Sequence, residues 1–545
     1  MFKWFRSLVA GFQEMRRARR VMYVEDLTER YHVFRSLLDT NNLAVELLTE
    51  LDCRLSSRAA VGEMRGKIIR LLDLTGELVE KLNYLDADRH EGLFRVQRQI
   101  EGNLQSIVET LPDPKSLPFC LTLDEITSEM AQAVGNKAAA LAEQKRIAHY
   151  PVPDGFVITV QGCRAFLNHD GLYARLVSML RQSEKDGHFS PAVVEKVRLA
   201  IMAAPLPLEV SGPLIGAAEK FFEQGKGLAV RSSSRGEDST THSFAGQFTT
   251  VLNVVDEEGL RNAFRRVAAS YFNNRSLAYR RNWGIDPLDF DMAVFCLEMV
   301  PARSAGVLLT SSPLPTDGAM LISAVYGLGE AAVGGSSPAD VYLVDRRAKK
   351  IADRCVIAQK EEQLVCLQEG GVANVELAEE LQDVPVLDDE QIALLVRWGM
   401  ELEREAKGCP RDIEWAFTDE GKMVLLQVRP QIMDRESSGD SCGMSGPLLL
   451  SGGVRGSGGR AVGRVHLVSS RGDFESINSK EPTILVMHQS LVDAVAVMET
   501  VDGIVVDLGN PADHLALVAR ESGVPLVCGL GDATRKLESG QWISV

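Results

Sequence analysis

The chain has 545 residues, with 59 lysines and arginines against 75 aspartates and glutamates, a formal net charge of −16. An apolar fraction of 45% with 25% charged residues is that of a folded globular protein and excludes wholesale disorder and collagen-like repeats. The acidic balance argues against binding nucleic acid through bulk charge, and the length predicts about three to four domains.

Nine cysteines, scattered singly and without a CxxC pair, disfavour a disulfide framework and a Cys-rich zinc site. They fit a reducing cytosol. No run of about 18 apolar residues reads as a transmembrane helix, and a cytoplasmic location is expected. At the N-terminus Phe2, Phe5, Val9 and Phe12 recur at helical spacing among Lys3, Arg6, Arg16, Arg17, Arg19 and Arg20. Such a basic amphipathic helix over residues 1–20 suits peripheral contact with an anionic membrane, a partner surface, or packing on its own domain.

No proline precedes Pro112, and apolar residues recur there at helical spacing, as in Val61, Met64, Ile68, Leu71 and Leu72. Residues 1–112 are therefore read as a helical bundle. From 116 to 433 the pattern changes to mixed α/β, with strand-like runs at Gly155–Val160, Leu228–Val230, Met292–Val300 and Val424–Val428. The Ser/Gly-rich stretch 434–446 reads as a flexible linker. Residues 447–545 then form a compact α/β tail with short strands at Gly463–Val468, Thr483–Met487 and Gly503–Asp507.

The common phosphate-binding signatures are missing. There is no GxxxxGK[ST], and Gly456–Ala461 fits GxGxxA but leads into a strand rather than a helix. Four other segments carry the chemistry: Gly135-Asn-Lys137 followed by Val152–Thr159; Ala229-Val-Arg231 running to Asp238, with Ser243-Phe-Ala-Gly246-Gln247; Gly327-Leu-Gly-Glu330; and Asp412-Ile-Glu414-Trp with Gln427-Val-Arg429-Pro430. In this order they resemble the ATP-grasp domain of the phosphoenolpyruvate synthase and pyruvate phosphate dikinase family, which the rifampicin phosphotransferases share. The resemblance covers about residues 116–435.

The resemblance implies binding of Mg²⁺ and ATP. Its functional positions fall on Lys137, Arg231, Asp412, Glu414, Gln427 and Arg429, with Gly246 and Gln247 in a loop whose backbone N–H groups approach phosphate. Elementary chemistry agrees, because phosphoryl transfer needs cations around the polyphosphate and a metal on oxygen ligands. Lys137 and Arg231 supply cations, and Arg suits bidentate phosphate contact. Asp412 and Glu414 lie two apart on a strand and share a face, which lets Glu414, with Gln427, hold Mg²⁺ while Arg429 reaches the transferring group.

In the tail, Asp502–Gly509 reads as a strand and turn. Asn510 is read as an N-cap with Pro511 at the first helical position, placing His514 in the opening turn of a helix closed by Gly523. There the positive helix end favours an attached phosphate and a neutral imidazole. The segment resembles the family's phosphohistidine swivelling domain, with His514 at the phosphate-carrying position. Where the family usually has a second glycine and a threonine before this histidine, the chain has Asn510 and Ala512. Asp513 stands where Cys or Ser is frequent, and its carboxylate is expected either to repel phosphate or to orient the ring.

The fold class expected is thus multidomain α/β: an N-terminal helical bundle, an ATP-grasp domain and a small swivelling domain. The function implied is a phosphotransferase with His514, Arg231 and Arg429 as catalytic residues, β-phosphoryl retention on histidine, and release of AMP and phosphate. The synthases continue into a pyruvate-binding barrel, whereas this sequence stops at Val545, so the expected acceptor is held by another protein or by the N-terminal region. A non-catalytic ATP-binding regulator and a membrane-surface adaptor remain open as alternatives.

Overall fold

The computed structural model describes the chain from residue 30 onward, except 31, 32, 35, 39, 46, 49–60, 87–88, 111–116, 148–149, 185–188, 235–236, 238–246, 283–287, 289, 314–317, 335–336, 338, 349, 357–359, 433–446, 470–472, 475–476 and 478–480. The amphipathic segment 1–20, Gly246 and the linker 434–446 lie outside the described residues. The chain divides into two compact units at Ser116/Leu117. Among the described residues no single helix is long and apolar enough to cross a membrane.

The first unit is helical, with helices Val61–Leu85 and Gly92–Thr110 packed on each other through Ile68, Leu71, Leu72 and Leu104. Helical residues within 30–48 join it, Thr40 accepting a hydrogen bond from Lys81 Nζ at 2.7 Å.

The second unit is built on three larger sheets. The first contains β1 (Cys120–Thr122), β2 (Gly155–Ile158), β3 (Leu228–Ser234), β4 (Val251–Val254) and β5 (Met292–Glu298), in the antiparallel order β1-β2-β5-β3-β4. The expected strand 155–160 ends two residues early. Thr159 Oγ1 accepts from Gly162 N, and this cap turns the chain into the helix Val160–Asn168. One face of the sheet is covered by that helix and those at Leu172–Ser183, Pro191–Ala203, Leu208–Glu223 and Glu257–Ser270, around a core including Phe156, Phe264 and Phe290.

The second sheet joins β6 (Ala302–Leu309), β7 (Ala319–Tyr326), β8 (Asp340–Asp345), β9 (Lys350–Cys355), β12 (Arg411–Thr418) and β13 (Met423–Pro430), in the antiparallel order β13-β12-β6-β7-β8-β9. The hairpin β10 (Glu362–Cys366) and β11 (Val372–Glu376) ties the two sheets together. Asn253 of β4 donates from Nδ2 to Leu367 O and Gly371 O, both at 2.7 Å, while Leu364 O accepts from Leu328 N. One core runs between the sheets and buries Val157, Phe295, Leu308, Ile322 and Trp415 together.

The third sheet has the order β14-β18-β17-β16-β15-β19, from β14 (Val454–Ser457), β15 (Val462–Val468), β16 (Thr483–Met487), β17 (Gly503–Val506), β18 (Leu526–Cys528) and β19 (Trp542–Ser544). Its four central strands are parallel and its edges antiparallel. Separate cores on its two faces, one around Leu485, Ile504 and Leu515 and one around Ile484, Val505 and Leu537, explain the near-continuous apolar strands.

Candidate active site

Lys137 is placed by a close backbone approach. Gly135 has φ +78°, and a Cβ there would lie 2.2 Å from Ser233 O, so only glycine lets the helix Asn136–Ile147 start directly against β3. Ser233 Oγ accepts from Ala138 N at 3.2 Å. Lys137 Nζ pairs with Glu237 Oε1 at 3.0 Å, and the buried Glu237 is itself fixed by Ser232 Oγ and Ser234 N at 2.9 and 2.7 Å. Glu237 thus aims the lysine, a role the sequence reading did not assign.

The opposite wall is a ladder across β12 and β13. Asp412 faces Arg429 and Glu414 faces Gln427 in direct register, with a bulge just after Glu414. Arg429 donates from Nε to Asp412 Oδ2 at 3.0 Å, and its Nη2 lies 2.9 Å from the same oxygen. Arg231 reaches across from β3 and donates from Nη2 to Glu414 Oε2 at 3.0 Å and Gln427 Oε1 at 2.8 Å.

These side chains converge on a cavity of about 380 Å³ lined by Lys137, Arg231, Glu330, Glu414, Gln427, Arg429 and His514. Its volume falls within the range of small-molecule sites. Of the residues singled out in the sequence, Asp412 and Gln247 do not line it. Asp412 is buried behind Arg429 and acts on the cavity through that guanidinium. Gln247 is buried, and its backbone carbonyl accepts from Asn273 Nδ2 at 2.6 Å. Sequence reasoning assigned no role to Arg275 or Glu330, which also line the cavity. The latter had a signal: a carboxylate directly after the turn at Gly327, whose φ is +75°.

The electrostatics follow from burial and the cation cluster. Burial alone would raise Glu414, but Arg231, Arg429 and Lys137 outweigh it and hold the carboxyl below its ordinary range. Asp412 is raised, by burial and the neighbouring Glu414, with Arg429 opposing. Glu330 is raised by burial, with Glu414 adding and Arg231 opposing. His514 is pushed down to about 3 by burial and then by Arg429, Lys137 and Arg231, against the pull of Glu414. Its Nδ1 is buried and has no hydrogen-bond partner. The ring is therefore neutral at physiological pH and keeps a nitrogen lone pair available.

The helix carrying this histidine is His514–Ser522, one turn later than the sequence reading placed it. The N-cap is Asp513, not Asn510. Asp513 Oδ1 accepts from Ala516 N at 2.8 Å, and Oδ2 accepts from Ser490 Oγ at 2.7 Å and Asn510 N at 3.2 Å. A carboxylate with three donors outcompetes the Asn-Pro signal as the helix start. Its charge is absorbed by the loop, so it neither faces a phosphate nor holds the imidazole. Burial raises its pKa, opposed by those hydrogen bonds.

Residues 131–442 match the family model for the pyruvate phosphate dikinase AMP/ATP-binding domain, and residues 479–545 match that for the mobile domain of PEP-utilising enzymes. A probable phosphoenolpyruvate synthase of Archaeoglobus fulgidus is 35% identical over 434 residues, covering 78% of this chain and 57% of the relative. One from Methanothermobacter thermautotrophicus is 31% identical over 439 residues, covering 80% and 63%. The phosphoenolpyruvate synthase of Pyrococcus furiosus is 28% identical over 474 residues, covering 78% and 57%. The chain spans less than two thirds of the length of each of these relatives. With both domain models matched in order, and with relatives of this identity along most of its length, the chain belongs to the phosphoenolpyruvate synthase and pyruvate phosphate dikinase family.

Proposed function

We propose that the chain is an ATP-dependent phosphotransferase in which residues 116–433 bind Mg–ATP and His514, in the tail 447–545, takes up a phosphoryl group and carries it to an acceptor. The observation that carries this reading is the position of His514: it lines the same cavity as Lys137, Arg231, Glu414, Gln427 and Arg429. The apolar wall at Leu252, Leu297, Met299 and Leu426 suits a purine ring, and the cation-rich end suits a polyphosphate.

The donor set fits a magnesium ion. Glu414 and Gln427 present hard oxygens side by side, and both already accept from a cation, the Arg231 guanidinium. Bound there with the nucleotide, Mg²⁺ would neutralise polyphosphate charge. Arg231, which also lines the cavity, is placed to contact the phosphates. The neutral ring of His514 supplies the lone pair that forms the N–P bond to the β-phosphorus, as the bond from that phosphorus to AMP breaks and its electrons stay on the AMP oxygen; water then takes the γ-phosphoryl as inorganic phosphate, leaving the β-phosphoryl on the ring. Lys137 and Arg231 stabilise the charge developing on the oxygens, and Asp412 holds Arg429 in place for the same purpose.

Membership of the pyruvate phosphate dikinase family, through its AMP/ATP-binding domain, favours a dikinase-type division of ATP that leaves AMP and phosphate and retains the β-phosphoryl on histidine. The relatives' printed names favour pyruvate as the final acceptor over a separate protein, because phosphoenolpyruvate is the phosphate ester of enolpyruvate. Incubation with β- or γ-labelled ATP tests the reading. The wild-type chain acquires one acid-labile, base-stable phosphate from the β position, His514→Ala lacks it while still binding ATP, and pyruvate discharges it. Tight ATP binding with no phosphohistidine at any label position would overturn the proposal.

A further inference from the structure

The tail meets the nucleotide-binding body at a short helix, Glu330–Val333, whose first residue lines the cavity. The carbonyls at the end of any helix lack intrahelical partners. Here the Ala332 carbonyl accepts a hydrogen bond from Asn510 Nδ2, at 3.0 Å, across the boundary between body and tail. Asn510 is almost wholly buried, at 2% exposure, and each of its other groups is used within the histidine loop. Its Oδ1 accepts from Ala512 N at 2.9 Å and its backbone N–H donates to Asp513 Oδ2. Two residues on, Ala512 is buried against Val307, Leu309 and Leu321 of the second sheet.

We propose that Asn510 is a positioning residue that latches the histidine loop to the Glu330–Val333 helix, holding His514 at the nucleotide cavity and the Glu330 turn in place for the first half-reaction. The side chain has the chemistry for two tasks. Its carbonyl oxygen shapes the loop from inside the tail, while its amide N–H₂ reaches the body and donates to the C-terminal turn of the short helix. A glycine, usual at this position in the family that the sequence resembles, offers neither group. The latch therefore biases this chain toward the docked arrangement, and the bond must break for the tail to leave. Asn510 is not among the residues that line the cavity, so its effect is expected on docking rather than on nucleotide affinity.

The inference rests on the phosphohistidine reading, and Asn510→Asp separates the two. Aspartate keeps the acceptor for Ala512 N but loses the donor and sets a carboxylate against the Ala332 carbonyl. Single-turnover labelling of His514 should slow roughly five- to tenfold at saturating Mg–ATP, with the ATP concentration for half-maximal rate unchanged. Without nucleotide, hydrogen exchange at the amides of 330–334 should speed up by a similar factor. Asn510→Gly, which removes both groups without adding charge, should show the same pair of changes. Wild-type rates and wild-type exchange in both variants would overturn the latch. So would slow labelling that tracks a lowered unfolding temperature of the tail, because that is the signature of a purely structural loop residue. If the wild-type chain itself takes no label, the phosphotransfer reading fails, and the exchange measurement alone decides whether the latch exists.

Discussion

Arg231 is the residue on which the two halves of the cavity converge. It bridges from the first sheet to Glu414 and Gln427 on the second, so its removal leaves a buried carboxylate without its nearest cation and the phosphates without a fork-shaped donor. Arg231→Ala is expected to lower His514 labelling by about 10²–10³. Undiminished labelling would mean that the nucleotide sits elsewhere. Asp412→Asn probes the layer behind. It keeps the shape but removes the charge that holds Arg429, and labelling should fall by about tenfold or more with ATP affinity less affected. Equal loss in both would place Asp412 in direct contact with nucleotide. Sequence spacing put Asp412 and Glu414 on one face of a strand, which the register supports, but a shared face says nothing about depth. Only the packing separates a carboxylate at the cavity wall from one sealed behind an arginine. Glu237 shows the same limit: its partner Lys137 is 100 residues away, a distance that no local pattern spans.

At the scale of elements, seven strands (β2, β3, β5, β13, β15, β16 and β17) were legible as apolar runs, and two of the misplacements came from caps. Thr159 ended β2 early, and Asp513 moved the start of the histidine helix past Asn510 and Pro511. Both are side chains of the kind expected at helix starts; Thr159 caps through the local Gly162 N, whereas at Asp513 a neighbouring candidate competed and a tertiary donor decided the outcome. Ser490, 23 residues upstream, makes Asp513 the better cap. The cap gives a direct prediction. Asp513→Ala should cost the tail about 1–2 kcal/mol, read as a lower unfolding midpoint, and should slow labelling because His514 begins that helix. Asp513→Ser retains one cap bond to the helix but loses reach toward Asn510, so its stability and labelling should fall between those of Asp513→Ala and wild type. Faster labelling in Asp513→Ser would return the carboxylate to a repelling role and contradict the cap as its main task.

Over the whole second unit, two sheets form a cleft and a third brings the histidine into it, and among the described residues the contacts joining them mix polar and apolar groups. Besides Asn510 and Ala512, Tyr279 Oη donates to Glu521 Oε2 at 3.2 Å and Arg455 Nη2 to Pro313 O at 2.5 Å. Such an interface suits repeated docking and release better than permanent fusion. It also makes docking depend on pH through His514. The docked ring, pushed down to about 3 by burial and by Arg429, Lys137 and Arg231, remains neutral across the physiological range. A released, solvated histidine titrates near ~6.5. Between those values the released state binds a proton that the docked state refuses, so docking is at full strength above pH ~6.5 and weakens by up to about tenfold, ~1.4 kcal/mol, for each unit below it. Glu414 is held below the ordinary carboxylate range by the same cations, which keeps the opposing wall charged as acidification begins. The docked fraction, followed without nucleotide by energy transfer between dyes on the body and the tail, should therefore be flat from pH 8 to about 6.5 and decline with further acidification. His514→Gln, which has no proton to gain, should shift that decline to lower pH. A decline that begins well above pH 6.5, or one that His514→Gln leaves unmoved, would assign the transition to another group and remove His514 as the origin of the pH dependence.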